Sequence, residues 1–193
     1  MTDTFLIIGL GNPGREYRET RHNVGFMLVD RLAVKLDARF TRLQARALIA
    51  SATYQDRKII LAKPQTFMNL SGQSAQGLVH FYKLPFPNLL VAHDDLDLPL
   101  GMIRIRPDGG SAGQKGMSSI IERFGTDEFP RLRIGINHPP GQMQVPDYVL
   151  QEFSSPDLAT ISETLNRAVE AVLVFVTEGL DAAMNKYNGF MEK

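Results

Sequence analysis

Four residues of this chain, His22, Asp94, Asn12 and Asn69, have side chains and settings suited to acyl chemistry. His22 stands just before an apolar stripe at helical spacing, Val24, Leu28, Leu32 and Leu36, behind a candidate Asn23 cap. At such a helix N-terminus the partial positive charge favours a neutral ring able to accept a proton. Asp94 follows the apolar run Leu89–Ala92, just past the end of a buried strand, where open α/β sheets keep their sites. Asn12 leaves the run Phe5–Gly9, and Asn69 follows the run Lys58–Lys63. A histidine base, an acid to orient it and two amides to hold water or polarise a carbonyl suit direct attack of water on an acyl group, without a covalent nucleophile. The asparagines suit turns and caps equally well, so both readings stand at this point.

Other motifs have weaker claims. Gly9 to Gly14 spells GLGNPG, a GxGxxG match right after a strand, but Pro13 lacks the backbone donor that a pyrophosphate would want. Asp30, at the right distance to bind ribose, falls inside the next helix instead of ending a second strand. Gly109 to Gly113 spells GGSAG, with Asp127 and His138 following in the order of a Ser-Asp-His triad. Ser111, however, is separated from its strand by Pro107 to Gly110 and stands too close in sequence to His138 for that fold. His93, Asp94, Asp95 and Asp97 form a cluster of metal-ligand types, yet strand alternation sends neighbours to opposite sides, so no metal site is expected. His80 within a helix and His138 before a double proline read as structural or exposed.

The elements that must position these residues follow from periodicity. Phe5–Gly9 reads as a strand; Ala47–Tyr54 and Lys58–Lys63 read as a hairpin around Gln55 and Asp56. A helix is expected over 71–82, burying Ala75, Leu78, Val79 and Tyr82, and a short one over 117–124. Met102–Arg106 and Arg131–Ile136 alternate apolar and basic residues, as half-buried strands whose arginines share one face. The clearest helix has Ser155 as cap, Pro156 at its first position, a stripe through Leu158, Ile161, Leu165, Val169, Val172 and Val176, and Gly179 as stop; a last helix runs through Met184 and Tyr187. The loop from Pro139 to Pro146 is the segment expected to move. Strands alternating with helices predict one domain over 1–193, a three-layer α/β/α fold with a mixed, mostly parallel central sheet.

Composition agrees with that class. The 193 residues are 44% hydrophobic and 22% charged, as in ordinary globular domains, which excludes collagen-like, coiled-coil and wholly disordered chains. With no cysteine, thiol nucleophiles, disulfides and thiolate zinc sites are excluded. The first residues lack the basic and apolar regions of a signal peptide, so a cytoplasmic protein without a membrane partner is expected. Net charge is zero, but residues 1–146 hold 18 Lys/Arg against 13 Asp/Glu and residues 147–193 hold 3 against 8. That asymmetry suggests a basic face beside an acidic C-terminal part. No unexplained apolar stripe remains, which favours a monomer with no obligate protein partner.

Four blocks in order, GLGNPGREYRETRHNVGF (9–26), KPQTFMNLSG (63–72), HDDLDLPLG (93–101) and RLRIGINHP (131–139), resemble those of the bacterial-type peptidyl-tRNA hydrolases. With the segments between them the resemblance covers roughly residues 5 to 187. It implies hydrolysis of the ester joining a peptide to the 3′ ribose of tRNA, recycling tRNA from prematurely released chains, with no metal or cofactor. By resemblance, His22 is the general base and Asp94 orients it. Asn69 positions water and the substrate carbonyl, and Asn12 contacts the peptide amide, so telling peptidyl-tRNA from aminoacyl-tRNA. Tyr17 and Phe67 match substrate-channel positions. Arg106 and Arg133 match a patch that holds phosphate of the tRNA acceptor end and its 3′ CCA.

One block departs from the pattern: where the family usually has Gly-His-Asn-Gly, this chain reads Gly113, Gln114, Lys115, Gly116. The substrate-binding asparagine becomes Lys115, which can donate a hydrogen bond or meet phosphate but cannot accept. A non-catalytic RNA-binding protein on the same fold and a serine esterase using Ser111 are the rival readings.

Overall fold

A computed structural model describes residues 3–190. The strands are β1 (Thr4–Gly9), β2 (Arg42–Gln44), β3 (Ala47–Tyr54), β4 (Arg57–Pro64), β5 (Leu89–Asp95), β6 (Ile103–Arg106) and β7 (Arg131–Gly135). The helices are α1 (Val24–Lys35), α2 (Ser71–Tyr82), α3 (Lys115–Phe124), α4 (Val145–Val149), α5 (Ser155–Glu178) and α6 (Leu180–Tyr187). The strands form one sheet in the order β2-β3-β4-β1-β5-β7-β6. Its inner four, β4, β1, β5 and β7, are mutually parallel, and antiparallel partners flank them on both sides. This is the expected mixed α/β sheet between two helical layers.

β1 and β5 are apolar nearly throughout because both their faces are covered. One core packs Ile7, Leu61, Leu90 and Leu132 under α1 and α5; the other packs Leu6, Ile8, Ile60 and Val91 under α2 and α3. Alternation along β5 therefore sends Ala92 and Asp94 to the α1 side and Val91, His93 and Asp95 to the other. The hairpin β3–β4 forms around Gln55 and Asp56, both at positive φ (45° and 61°), the geometry of a tight turn whose twist matches that of the strands.

Several local expectations are corrected. The cap of α5 is Ser154 rather than Ser155, and Leu158 is exposed, because the first turn of α5 overhangs the core. Asn23 occupies the cap position of α1, but its side chain makes no capping bond and is engaged elsewhere. The segment read as a loop to Pro146 already turns into α4 at Val145. The strand β2 lay unrecognised, being three residues of mixed polarity held by pairing to β3. Residues 1–2 and 191–193 of the domain read as 1–193 lie outside the described residues.

Candidate active site

Because β4, β1 and β5 are adjacent and parallel, their C-terminal ends share one edge of the sheet, and the chain leaving each delivers one polar residue there. β1 leads to Asn12, β4 to Asn69 in a 3-10 turn over Met68–Leu70, and β5 carries Asp94 as its penultimate residue. The three lie in different parts of the sequence and meet because of strand order alone.

His22 enters from above, on a 3-10 turn (Arg21–Asn23) that runs into α1. Its Nδ1 lies 2.9 Å from Asp94 Oδ2, with both side chains buried. A carboxylate only accepts, so Nδ1 carries the proton and Nε2 is the nitrogen with a free lone pair. Arg21 pins this turn: its guanidinium donates to the Glu152 carbonyl at 2.8 Å and lies 4.3 Å above the Tyr148 ring. Its backbone N–H also donates to the Gln151 carbonyl.

Asn12 and Asn23 clasp each other, Asn12 N–H donating to Asn23 Oδ1 and Asn23 Nδ2 to the Asn12 carbonyl, each at 2.9 Å. Asn12 Oδ1 accepts from the Met68 N–H at 2.8 Å. One asparagine thus ties the loop after β1 to that after β4, and its remaining group, Nδ2, is a donor. The Asn69 amide is exposed and makes no hydrogen bond among the described residues.

Asn12, His22, Asn69 and Asp94 line a cleft of about 350 Å³. Its lining also includes Phe67, Met68, Leu96, the segment Ala112 to Lys115, and Val145, Pro146 and Val149 of α4 with Leu150 just past it. Lys115 starts α3, is exposed and is the sole lysine or arginine in that lining among the described residues. Gln114, which sequence reasoning singled out only as a departure, is buried and donates from Nε2 to Asp94 Oδ1 at 3.1 Å. Arg21, Asn23 and Met68 were also missed, since their contacts run across distant segments and leave no local pattern.

Tyr17 is half-buried in the loop before His22 and does not line the cleft. The arginines of β6 and β7 do share a face, Arg104 opposite Arg133 and Arg106 opposite Arg131, but they differ in state. Arg131 is 1% exposed and donates to the carbonyls of Asp127, Phe129, Gly109 and Gly110, fastening the glycine loop that ends in Gln114. Burial lowers its pKa from the ordinary arginine value, partly countered by Asp127 and Asp108. Arg133 is partly buried and ion-paired with fully buried Asp95; Arg106 is exposed at the far end of β6.

The other motifs dissolve. Ser111 Oγ accepts from the Gly113 N–H, and His138 pairs with Asp97 at 3.1 Å, so no Ser-Asp-His triad forms. The acids at and just past the end of β5 go to separate partners: Asp94 to His22, Asp95 to Arg133, Asp97 to His138. No group of three His, Cys, Asp or Glu side chains is gathered among the described residues. His93 points into the α3 side, its Nδ1 on the Asp94 carbonyl; burial lowers its pKa, against the pull of the Asp94 carbonyl and the charges of Asp94 and Asp95.

Comparison with known proteins covers almost the whole chain. The sequence profile of the family described as peptidyl-tRNA hydrolase matches residues 6–193. The peptidyl-tRNA hydrolase of Chloroflexus aggregans is 49% identical over 185 residues, spanning 95% of this chain and 98% of that protein. That of Desulforamulus reducens is 50% identical over 183 residues, spanning 95% and 88%. The crystal structure of peptidyl-tRNA hydrolase from Acinetobacter baumannii superposes with a TM-score of 0.90 at 35% identity, over 97% of each chain.

Proposed function

The chain belongs to the peptidyl-tRNA hydrolase family and is a hydrolase of that kind, and from this premise we propose how its cleft carries out the reaction. Substrate is peptidyl-tRNA, and the bond broken is the ester between the peptide carbonyl and the 3′ ribose of the acceptor end. The observation that carries the mechanism is the His22 Nδ1 to Asp94 Oδ2 contact of 2.9 Å, which leaves Nε2 as the proton-accepting atom at the cleft.

Nε2 takes a proton from water as the oxygen attacks the acyl carbonyl. The tetrahedral intermediate collapses with cleavage of the ester, and the proton on Nε2 passes to the departing 3′ oxygen. Free peptide and tRNA result, and His22 returns to its starting form. Asn69, whose amide has no partner among the described residues, donates to the carbonyl oxygen as negative charge develops there and holds the attacking water. Asn12 Nδ2 donates to the carbonyl of the peptide bond next to the ester; an aminoacyl-tRNA, lacking that carbonyl, forfeits the contact.

Phe67, Met68 and the apolar face of α4 accept peptide side chains. Lys115 supplies a positive charge at the cleft for substrate phosphate. On the shared face of β6 and β7, exposed Arg106 and partly buried Arg133 grip the tRNA backbone through phosphate and so without reading bases. Tyr17 stands outside the cleft walls and is assigned to the approach to them. We infer further that the protein acts as a monomer in the cytoplasm, recycling tRNA from prematurely released peptidyl-tRNA. No helix among the described residues is long and apolar enough to cross a membrane.

The experiment is release of N-acetyl-aminoacyl groups from tRNA by the purified protein, with unblocked aminoacyl-tRNA as control. Hydrolysis of the blocked substrate alone is expected, and His22→Ala is expected to lose about 10²-fold or more in kcat with tRNA binding near normal. Near-normal turnover by His22→Ala would remove the histidine from its role.

A further inference from the structure

The cleft contains one buried amide to which the family resemblance gives no function, Gln114, standing where histidine is usual. Both ends of it are engaged. Oε1 accepts from the Met117 N–H at 2.7 Å and so caps α3. Nε2 donates to Asp94 Oδ1 at 3.1 Å and lies 3.2 Å from Met68 Sδ, beside the turn that carries Asn69. The other oxygen of Asp94 meets His22 Nδ1. Each carboxylate oxygen thus has its own donor, from two different segments of chain. The terminal torsion of an aspartate is broad, so one donor leaves the carboxylate plane free to swing, while two on opposite oxygens fix it.

We propose that Gln114 is a positioning residue, which sets the plane of the Asp94 carboxylate against the first turn of α3 and through it holds His22 with Nδ1 protonated and Nε2 open to the cleft. This rests on the reading of His22 as the base. An amide offers a donor and an acceptor at once and does not titrate, so the clamp has the same form on both sides of neutral pH, which a histidine at this place would not guarantee.

Gln114→Ser separates the two ends of the amide: a serine oxygen still caps the helix, while nothing reaches Asp94. The expected result is a fall of about tenfold in kcat with KM and melting temperature near wild type. In the free protein, ¹⁵N resonances of the His22 ring should change from the Nδ1-protonated tautomer to a mixture. Gln114→His, which returns a ring N–H donor, should recover kcat to within about threefold of wild type. Wild-type kcat and a single His22 tautomer in Gln114→Ser would overturn the proposal, as would a Gln114→His variant no better than Gln114→Ser.

If serine destabilises the fold, Gln114→Glu keeps the length and the capping oxygen but turns the donor into a second acceptor against Asp94. It should lose more activity than Gln114→Ser or Gln114→His, and wild-type kcat there would be equally fatal. The tautomer is read without substrate. Wild-type protein that hydrolyses no blocked tRNA would thus overturn the proposed function while the resonances still decide the place of Gln114.

Discussion

Asn12 commits only half of its amide to the scaffold. Oδ1 holds the Met68 N–H, and the backbone is clasped by Asn23, so only Nδ2 is available to a ligand. Asn12→Asp preserves an acceptor for Met68 and removes the donor. The variant should therefore fold as the wild type does while its preference for N-blocked over unblocked aminoacyl-tRNA narrows about tenfold, the scale of one buried hydrogen bond. Comparing kcat/KM for the two substrates checks this, and an unchanged ratio would take Asn12 out of peptide recognition.

At the scale of elements, the site depends on how closely α1 approaches the ends of β1 and β5. A Cβ on Gly25 would lie 2.5 Å from the Ala92 carbonyl oxygen and 2.5 Å from the Leu10 nitrogen, and one on Gly9 would run into the Gly25 carbonyl. Gly9, the first glycine of the apparent nucleotide motif, and Gly25 are thus a packing pair that lets the turn bearing His22 descend onto Asp94. Gly25→Ala should cost about 1–3 kcal/mol by overpacking and lower kcat together with stability, because backbone on both sides must move. Denaturant titration alongside turnover measures both; full stability would mean that the helix can lift without cost.

His93 on β5 supplies a pH dependence of folding. Its pKa in the folded protein is below the ordinary 6.5, chiefly through burial, so the folded state resists a proton that the unfolded chain takes up. That contribution is constant above the unfolded pKa and is lost as pH falls from about 6.5 toward the folded value, at no more than about 1.4 kcal/mol per pH unit for one proton. His93→Gln should flatten the unfolding free energy between about pH 6.5 and 5 relative to wild type. Parallel curves for the two proteins would show that His93 is not a source of that slope.

For the whole molecule, zero net charge conceals a basic face, and the arginines on it are not equivalent. Arg133 neutralises Asp95, which has no solvent exposure, so Arg133→Ala strands a buried carboxylate and should destabilise the fold by about 3 kcal/mol besides weakening tRNA. Arg106 is exposed and free of that duty. Arg106→Ala is therefore the cleaner variant: tRNA affinity should fall, the slope of log K against log salt should lessen by about one, and kcat at saturation should hold. An unchanged slope would place the tRNA backbone elsewhere.

Much of this protein was legible in the sequence because local patterns encode local structure. The apolar runs of β1 and β5, the stripe of α1, the hairpin around Gln55 and Asp56 and the span of α2 all follow from periodicity and turn chemistry. The four ordered blocks identify the family by resemblance. Tertiary structure alone decided which polar side chains meet. Strand order sets three distant loops side by side; the Asn23 side chain turns from its helix to Asn12; Gln114 reaches Asp94; and Arg131 is committed to the loop before α3 while Arg106 on the same face stays in water. The physical reason is that a hydrogen bond between separate segments, here 11 to 21 residues apart, leaves no periodicity in the sequence. It depends on packing the two cores against one sheet, and only then does a donor find the acceptor that fixes its role.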